Sequence, residues 1–166
     1  MAFFKKSPPA TPASFALSTS VRADLRELFD MAPPDACGGR MRSADILPAV
    51  LALNDRLPTD ELLQAITRCR APMIGDGYMA LSNVRLIFSL QPIPGKAGLR
   101  AGPTHVTAIK LTDITEFYSQ RNTATVSAPN LPEGSITVDL LWGGEHSDRV
   151  CEQIEDAVSR MGQFGL

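Results

Sequence analysis

Two arginines separated by one residue, Arg68 and Arg70, are the part of this sequence best suited to hold a charged ligand. Side chains two apart on an extended strand share a face. The pair would therefore present two guanidiniums to one target, and planar guanidinium forks match phosphate oxygens well. Lys96 and Arg100, in a later loop, are the basic residues that could converge on them. A phosphate-bearing anion is the ligand such a group would take. Against it, Asp76 follows closely in the same hairpin, and residues 59–142 carry no net charge. Solvated surface charge is the stronger reading of these cations. Arg85 is read the same way, as a structural arginine paired with an acid such as Asp113.

Catalytic groupings are sparse. The two histidines, His105 and His146, fall at a strand start and just before a helix cap, and neither belongs to a serine–acid or cysteine arrangement of catalytic type. Cys37, Cys69 and Cys151 are odd in number and widely spaced, which suits neither a disulfide framework nor a zinc site. Cys37 stands beside two glycines and is the only thiol with a hint of exposure. No phosphate-binding glycine loop, dinucleotide fingerprint or calcium loop is present. An enzyme is not expected, nor a cofactor or a metal.

The formal charge of −2 is spread as +1 over residues 1–58, 0 over 59–142 and −3 over 143–166. No segment builds the dense positive field that a nucleic acid requires, so nucleic acid is not an expected partner. A 44% apolar content leaves ample material for a core in a chain of ordinary domain size. Phe3-Phe4-Lys5-Lys6 imitates the start of an export signal, but the Pro-, Ser- and Thr-rich run after it lacks the apolar stretch. Unpaired thiols and the lack of a membrane-length apolar window make the cytoplasm the expected location.

The elements needed to position these residues follow from periodicity. Residues 1–18 read as a disordered tail. Residues 19–56 read as a helical extension of two amphipathic helices. The first starts from Ser20 and places Val21, Leu25, Leu28 and Phe29 on one face. The second, Ala44 to Asp55, carries Ile46, Leu47, Val50 and Leu51, with Pro48 in its first turn. Leu57-Pro-Thr-Asp-Glu61 reads as a helix start capped by Thr59, giving one helical turn before a strand over Ile66–Arg70. Ile74-Gly-Asp-Gly77 reads as a hairpin turn.

In Val84–Leu90 the apolar Val84, Leu86, Phe88 and Leu90 alternate with Arg85, Ile87 and Ser89. Residues 92–103 form a long loop. Strands follow at His105–Leu111, Ile114–Gln120 and Thr123–Ala128, and the last alternates Ile136, Val138, Leu140 and Trp142. A final helix, capped by Ser147, lays down a stripe of Val150, Cys151, Ile154, Ala157, Val158 and Met161. Asp156 and Arg160 would pair on its wet side.

Ala80-Leu-Ser-Asn-Val-Arg-Leu-Ile-Phe88 resembles the "Leu-Thr-x-x-Arg-Leu-Ile-Phe" hairpin of bacterial pleckstrin-homology-like and GRAM-type domains. Ile109-Lys-Leu-Thr-Asp-Ile114 is similar to their "Ile-Pro-Leu-x-Asp-Ile" signature. The resemblance covers roughly residues 57–162. Ser82 stands where threonine is usual, and the loop after Leu90 is long. The resemblance implies an α+β, mainly β fold over 57–166: a PH-like barrel of about seven antiparallel strands capped by a C-terminal helix.

Such a fold binds proteins or lipids and does not by itself transfer a ligand. The expected function is a non-enzymatic protein-interaction or regulatory adaptor module. The alternative is an anionic-lipid-binding domain using Arg68 and Arg70. A homodimer through a sheet edge or the N-terminal helices is compatible with either.

Overall fold

The computed structural model describes residues 21–31, 43–92, 102–141 and 144–164. The expected tail over 1–18, Cys37, the loop cations Lys96 and Arg100, and Trp142 lie outside the described residues, as do the side chains of Phe29, Ile46 and Leu47.

Two helices come first, α1 (Ala23–Met31) and α2 (Ser43–Arg56). The strands are β1 (Leu63–Ala71), β2 (Gly75–Ser82), β3 (Arg85–Gln91), β4 (His105–Lys110), β5 (Glu116–Gln120), β6 (Thr123–Ser127) and β7 (Ser135–Leu140). Short 3-10 turns at Leu111–Asp113 and Pro132–Gly134 flank the β5–β6 pair, and α3 (Gly144–Phe164) closes the chain. The strands form one antiparallel sheet in the order β4-β3-β2-β1-β7-β6-β5. Its two halves meet where β1 pairs with β7 at Cys69–Leu140 and Arg70–Asp139, extended by Leu141 N–H donating to Arg68 O at 2.9 Å, and among the described residues its ends do not pair with each other. The fold is therefore α+β and mainly β, with an open seven-stranded sheet and a C-terminal helix.

Alternation in the strands builds two cores. Leu86, Phe88 and Leu90 of β3 point into the main one, beside Met79, Ile109, Val126 and Val138. The stripe on α3 completes it: Val150, Cys151 and Ile154 are buried there, with Ala157, Val158 and Met161 packed against its margin. Burying a side chain such as Ile154 fully contributes about 1.5–3 kcal/mol, so α3 is held by that stripe. On the opposite face of β1–β3, Ile66, Tyr78, Ala80 and Ile87 pack against Val21 and Leu25 of the α1 segment and Val50 and Leu53 of α2. Ser89, also on that face, donates to the carbonyl of Ala49 at 2.7 Å. Helices α1 and α2 thus share a core with the sheet.

Several local expectations are corrected. Residues 57–61 form a turn, closed by Glu61 N–H donating to Pro58 O at 3.2 Å, and β1 begins at Leu63 with no preceding helical turn. Glu61 and Leu63 are buried while Leu62 is 58% exposed, so the segment already follows the period of a strand. The β1–β2 turn lies at 72–74, with Met73 at φ +68°, and both Gly75 and Gly77 belong to β2. Gly77 serves a close approach: a Cβ there would lie 1.9 Å from the Ser89 carbonyl oxygen of β3.

Among the described side chains of α2, Ala49, Val50 and Leu53 are buried, whereas Leu51 is exposed. Pro48 lies inside that helix, beyond its first turn. Helix α3 starts at Gly144, so Ser147 is interior, and its hydroxyl pairs with that of Thr67 at 3.2 Å. Arg160 reaches the backbone oxygen of Asp156 at 3.4 Å instead of its carboxylate.

Candidate functional site

The hairpin that carries the family-like motif is organised by a buried acid. Glu61 is 4% exposed, and both its oxygens engage Arg85, at 3.1 Å from Nε and 2.5 Å from Nη2. Ser82 donates to Glu61 Oε1 at 2.5 Å and accepts from the amides of Val84 and Arg85. A short hydroxyl side chain at position 82 thereby closes the β2–β3 turn and anchors the acid in one step. Asn83 adds a second link, accepting from Leu62 N–H at 3.0 Å. Arg85 is structural, as expected, but its partner is Glu61 and not Asp113.

A second polar cluster ties α1 to the same region. Arg22 pairs with Asp24 at 2.9 Å and donates to the carbonyls of Leu57, Pro58 and Glu61. Asp24 accepts from the amides of Leu25 and Leu63 at 2.8 and 2.9 Å. Burial alone would push the Asp24 carboxyl up, but the Arg22 hydrogen bond and the two amides outweigh it and hold it below the usual carboxylate range. The same contact raises Arg22, against the opposing effect of burial. Three chain segments, 22–25, 57–63 and 82–85, are thus pinned together by two ion pairs.

Arg68 and Arg70 do share one face of β1, but the sheet does not display them as a cationic fork. Arg68 is 3% exposed. Arg70 is engaged by Asp76 at 2.7 and 2.8 Å, across the register pair that joins β1 to β2. Arg68 is enclosed, and Arg70, whose side chain is 39% exposed, shares its charge with Asp76. Lys96 and Arg100, which would complete such a site, lie outside the described residues.

Groups with catalytic potential are scattered. His105 is exposed at the start of β4, and His146 Nε2 sits 2.9 Å from the Ile66 carbonyl oxygen on the other side of the fold. The Cys69 and Cys151 thiols are both buried, and burial raises both, Cys151 to about 11. No group of three His, Cys, Asp or Glu side chains that could hold a metal ion occurs among the described residues. Nor is any helix among them long and apolar enough to cross a membrane.

The sheet ends have a different character. Strand β5 pairs with no strand but β6 among the described residues, and α3 packs beside it, with Ser119 hydrogen-bonded to Cys151. Phe117 is its one partly buried side chain; Glu116, Tyr118, Ser119 and Gln120 are exposed, Tyr118 to 48%. The other end strand, β4, carries His105 and Lys110 at its two termini and buries Ile109. An extended strand with unpaired N–H and C=O groups is a template for another strand, and lysine is the residue that most often blunts such edges. Strand β5 carries none. Sequence reading located β5 but not its edge position, because pairing order depends on contacts far apart in the chain. Glu61 escapes a local reading for the same reason, since its partners Ser82 and Arg85 lie 21 and 24 residues away.

No known family model matches the chain, and no curated protein matches it either.

Proposed function

We propose that this protein is a non-catalytic binding module of the PH-like type, acting as an adaptor that takes a protein partner as an added strand along β5. The open edge of β5 carries this reading. A partner segment laid antiparallel to β5 would find a row of main-chain donors and acceptors together with the exposed ring of Tyr118. Aromatic side chains of this kind act as anchors in protein interfaces. The strand order and the capping helix support the PH-like assignment, and the ion pairs around Glu61 and Asp24 give the motif residues a structural purpose that leaves the edge as the available contact surface.

The experiment compares complexes recovered from native lysate by the wild-type chain, by Tyr118→Lys/Gln120→Lys, and by Thr125→Lys on the exposed face of β6. The expected outcome is a stable complex with wild type and with Thr125→Lys that is lost with the β5 variant. A complex that survives the β5 lysines sinks the proposal. If the recovered species is a second copy of this chain, the edge serves a homodimer.

A further inference from the structure

Helix α2 packs on β2 and β3 and only touches β4. A cleft of about 160 Å³ lies between its last turn and the β3–β4 pair. Leu53 and Leu57 form the helix side of this cleft, and Ile87, Val106 and Ala108 the sheet side. Ile109 is buried in the main core, so strand alternation turns Val106, Ala108 and Lys110 to the α2 face. Ala108 has the shortest side chain of the three and is exposed, which leaves the slot unfilled beside Ile87, its register partner on β3. An apolar cavity of about 150 Å³ takes up a benzene molecule. The slot therefore has the size of one aromatic ring.

Positive charge enters the same cleft from three elements. Arg56, in the last turn of α2, and Arg85 of β3 line it together with the apolar side chains. Lys110 of β4 is the register partner of Arg85, so the two lie side by side on the α2 face of the sheet. Glu61 engages Arg85 with both carboxylate oxygens and balances its charge. Arg56 and Lys110 are exposed and belong to no ion pair among the described residues. The carbonyl end of α2 sets roughly half a negative charge beside Arg56, which opposes a dianion there. What remains favours a single negative charge. A carboxylate meets it well, since its two oxygens match the fork of a guanidinium.

We propose that this cleft binds a small aromatic carboxylate, with its ring against Leu53, Ile87, Val106 and Ala108 and its carboxylate on Arg56, Lys110 adding to the field from the end of β4. This inference is independent of the β5 edge and stands if that reading fails.

The test titrates benzoate, benzyl alcohol and acetate separately into the full chain, following the Ile87 and Val106 methyl resonances. Benzoate is expected to shift both saturably. Benzyl alcohol lacks the charge and acetate lacks the ring, so each should bind more weakly by about tenfold or more. Arg56→Gln, at an exposed position, should weaken benzoate by a similar factor, as expected for losing a hydrogen bond between charged groups. Ala108→Leu fills the slot from an exposed position and should abolish the response, while its melting curve reports that the chain still folds. Arg121→Gln removes an exposed cation at the β5–β6 turn and should bind benzoate as wild type does. The proposal is overturned if benzoate fails to move the two methyls at millimolar concentration, or if benzyl alcohol or acetate matches it. It is equally overturned if folded Ala108→Leu still responds, or if Arg56→Gln weakens binding no more than Arg121→Gln does.

Discussion

Strands β2 and β5 belong to the same antiparallel sheet, yet all eight residues of β2 are buried while four of the five in β5 are exposed. The contrast lies in their neighbours. β2 runs between β1 and β3, faces the main core through Met79 and Leu81, and is covered on its other side by α1 and α2 through Tyr78 and Ala80. β5 has a strand neighbour on one side only among the described residues, α3 touches it, and Glu116, Tyr118 and Gln120 stay exposed. The half of the sheet that α1 and α2 clad is where the partly buried ion pairs Arg22–Asp24 and Arg85–Glu61 lie. The other half keeps a wet face, with Thr125 and Thr137 hydroxyls paired at 2.9 Å on the surface, and an open edge. Natural folds commonly separate stability from contact surface in this way.

The largest expected break in that contrast comes from its glycines. Gly77→Ala sets a Cβ against the Ser89 carbonyl oxygen, where backbone on both sides prevents relief. It should cost at least about 3 kcal/mol by denaturant unfolding. Gly134→Ala, at φ +79° with open space around it, should cost only the left-handed penalty of about 1–2 kcal/mol. Equal losses at the two sites would contradict the difference in packing.

Next is the polar comparison. Glu61→Ala strands Ser82 and Arg85 and should cost about 1–3 kcal/mol. Thr137→Val on the wet face should stay within about 0.5 kcal/mol of wild type. A Glu61 effect as small as that of Thr137 would show that the cluster contributes nothing net to stability.

The smallest effect is a pH dependence. Because the folded Asp24 carboxyl lies below its ordinary value, its contribution is complete above about pH 4 and is lost as the pH falls through the folded value. Asp24→Asn should cost about 1 kcal/mol at neutral pH and flatten the acid limb of the stability profile. An unchanged acid limb would mean that the clad half owes nothing to this pair.

What the sequence determined by itself was whatever repeats locally. Leu86, Phe88 and Leu90 alternate with period two, and Val150, Cys151 and Ile154 recur with the period of a helix, so the faces of β3 and α3 were legible residue by residue. Val21, Leu25 and Leu28 were read onto one face of α1 for the same reason.

Tertiary structure decided whatever depends on contacts between distant segments. Arg85 finds its acid 24 residues upstream, Thr67 meets Ser147 across 80 residues, and Arg68 is enclosed only because β1 is an interior strand with helices above it. A local pattern could place Arg68 and Arg70 on one face, but not say whether that face was wet. The same holds for β5, whose exposure follows from its place at the end of the sheet. Strand order is set by which long-range pairings bury the most apolar surface, a quantity that belongs to the whole chain and to no single window of it.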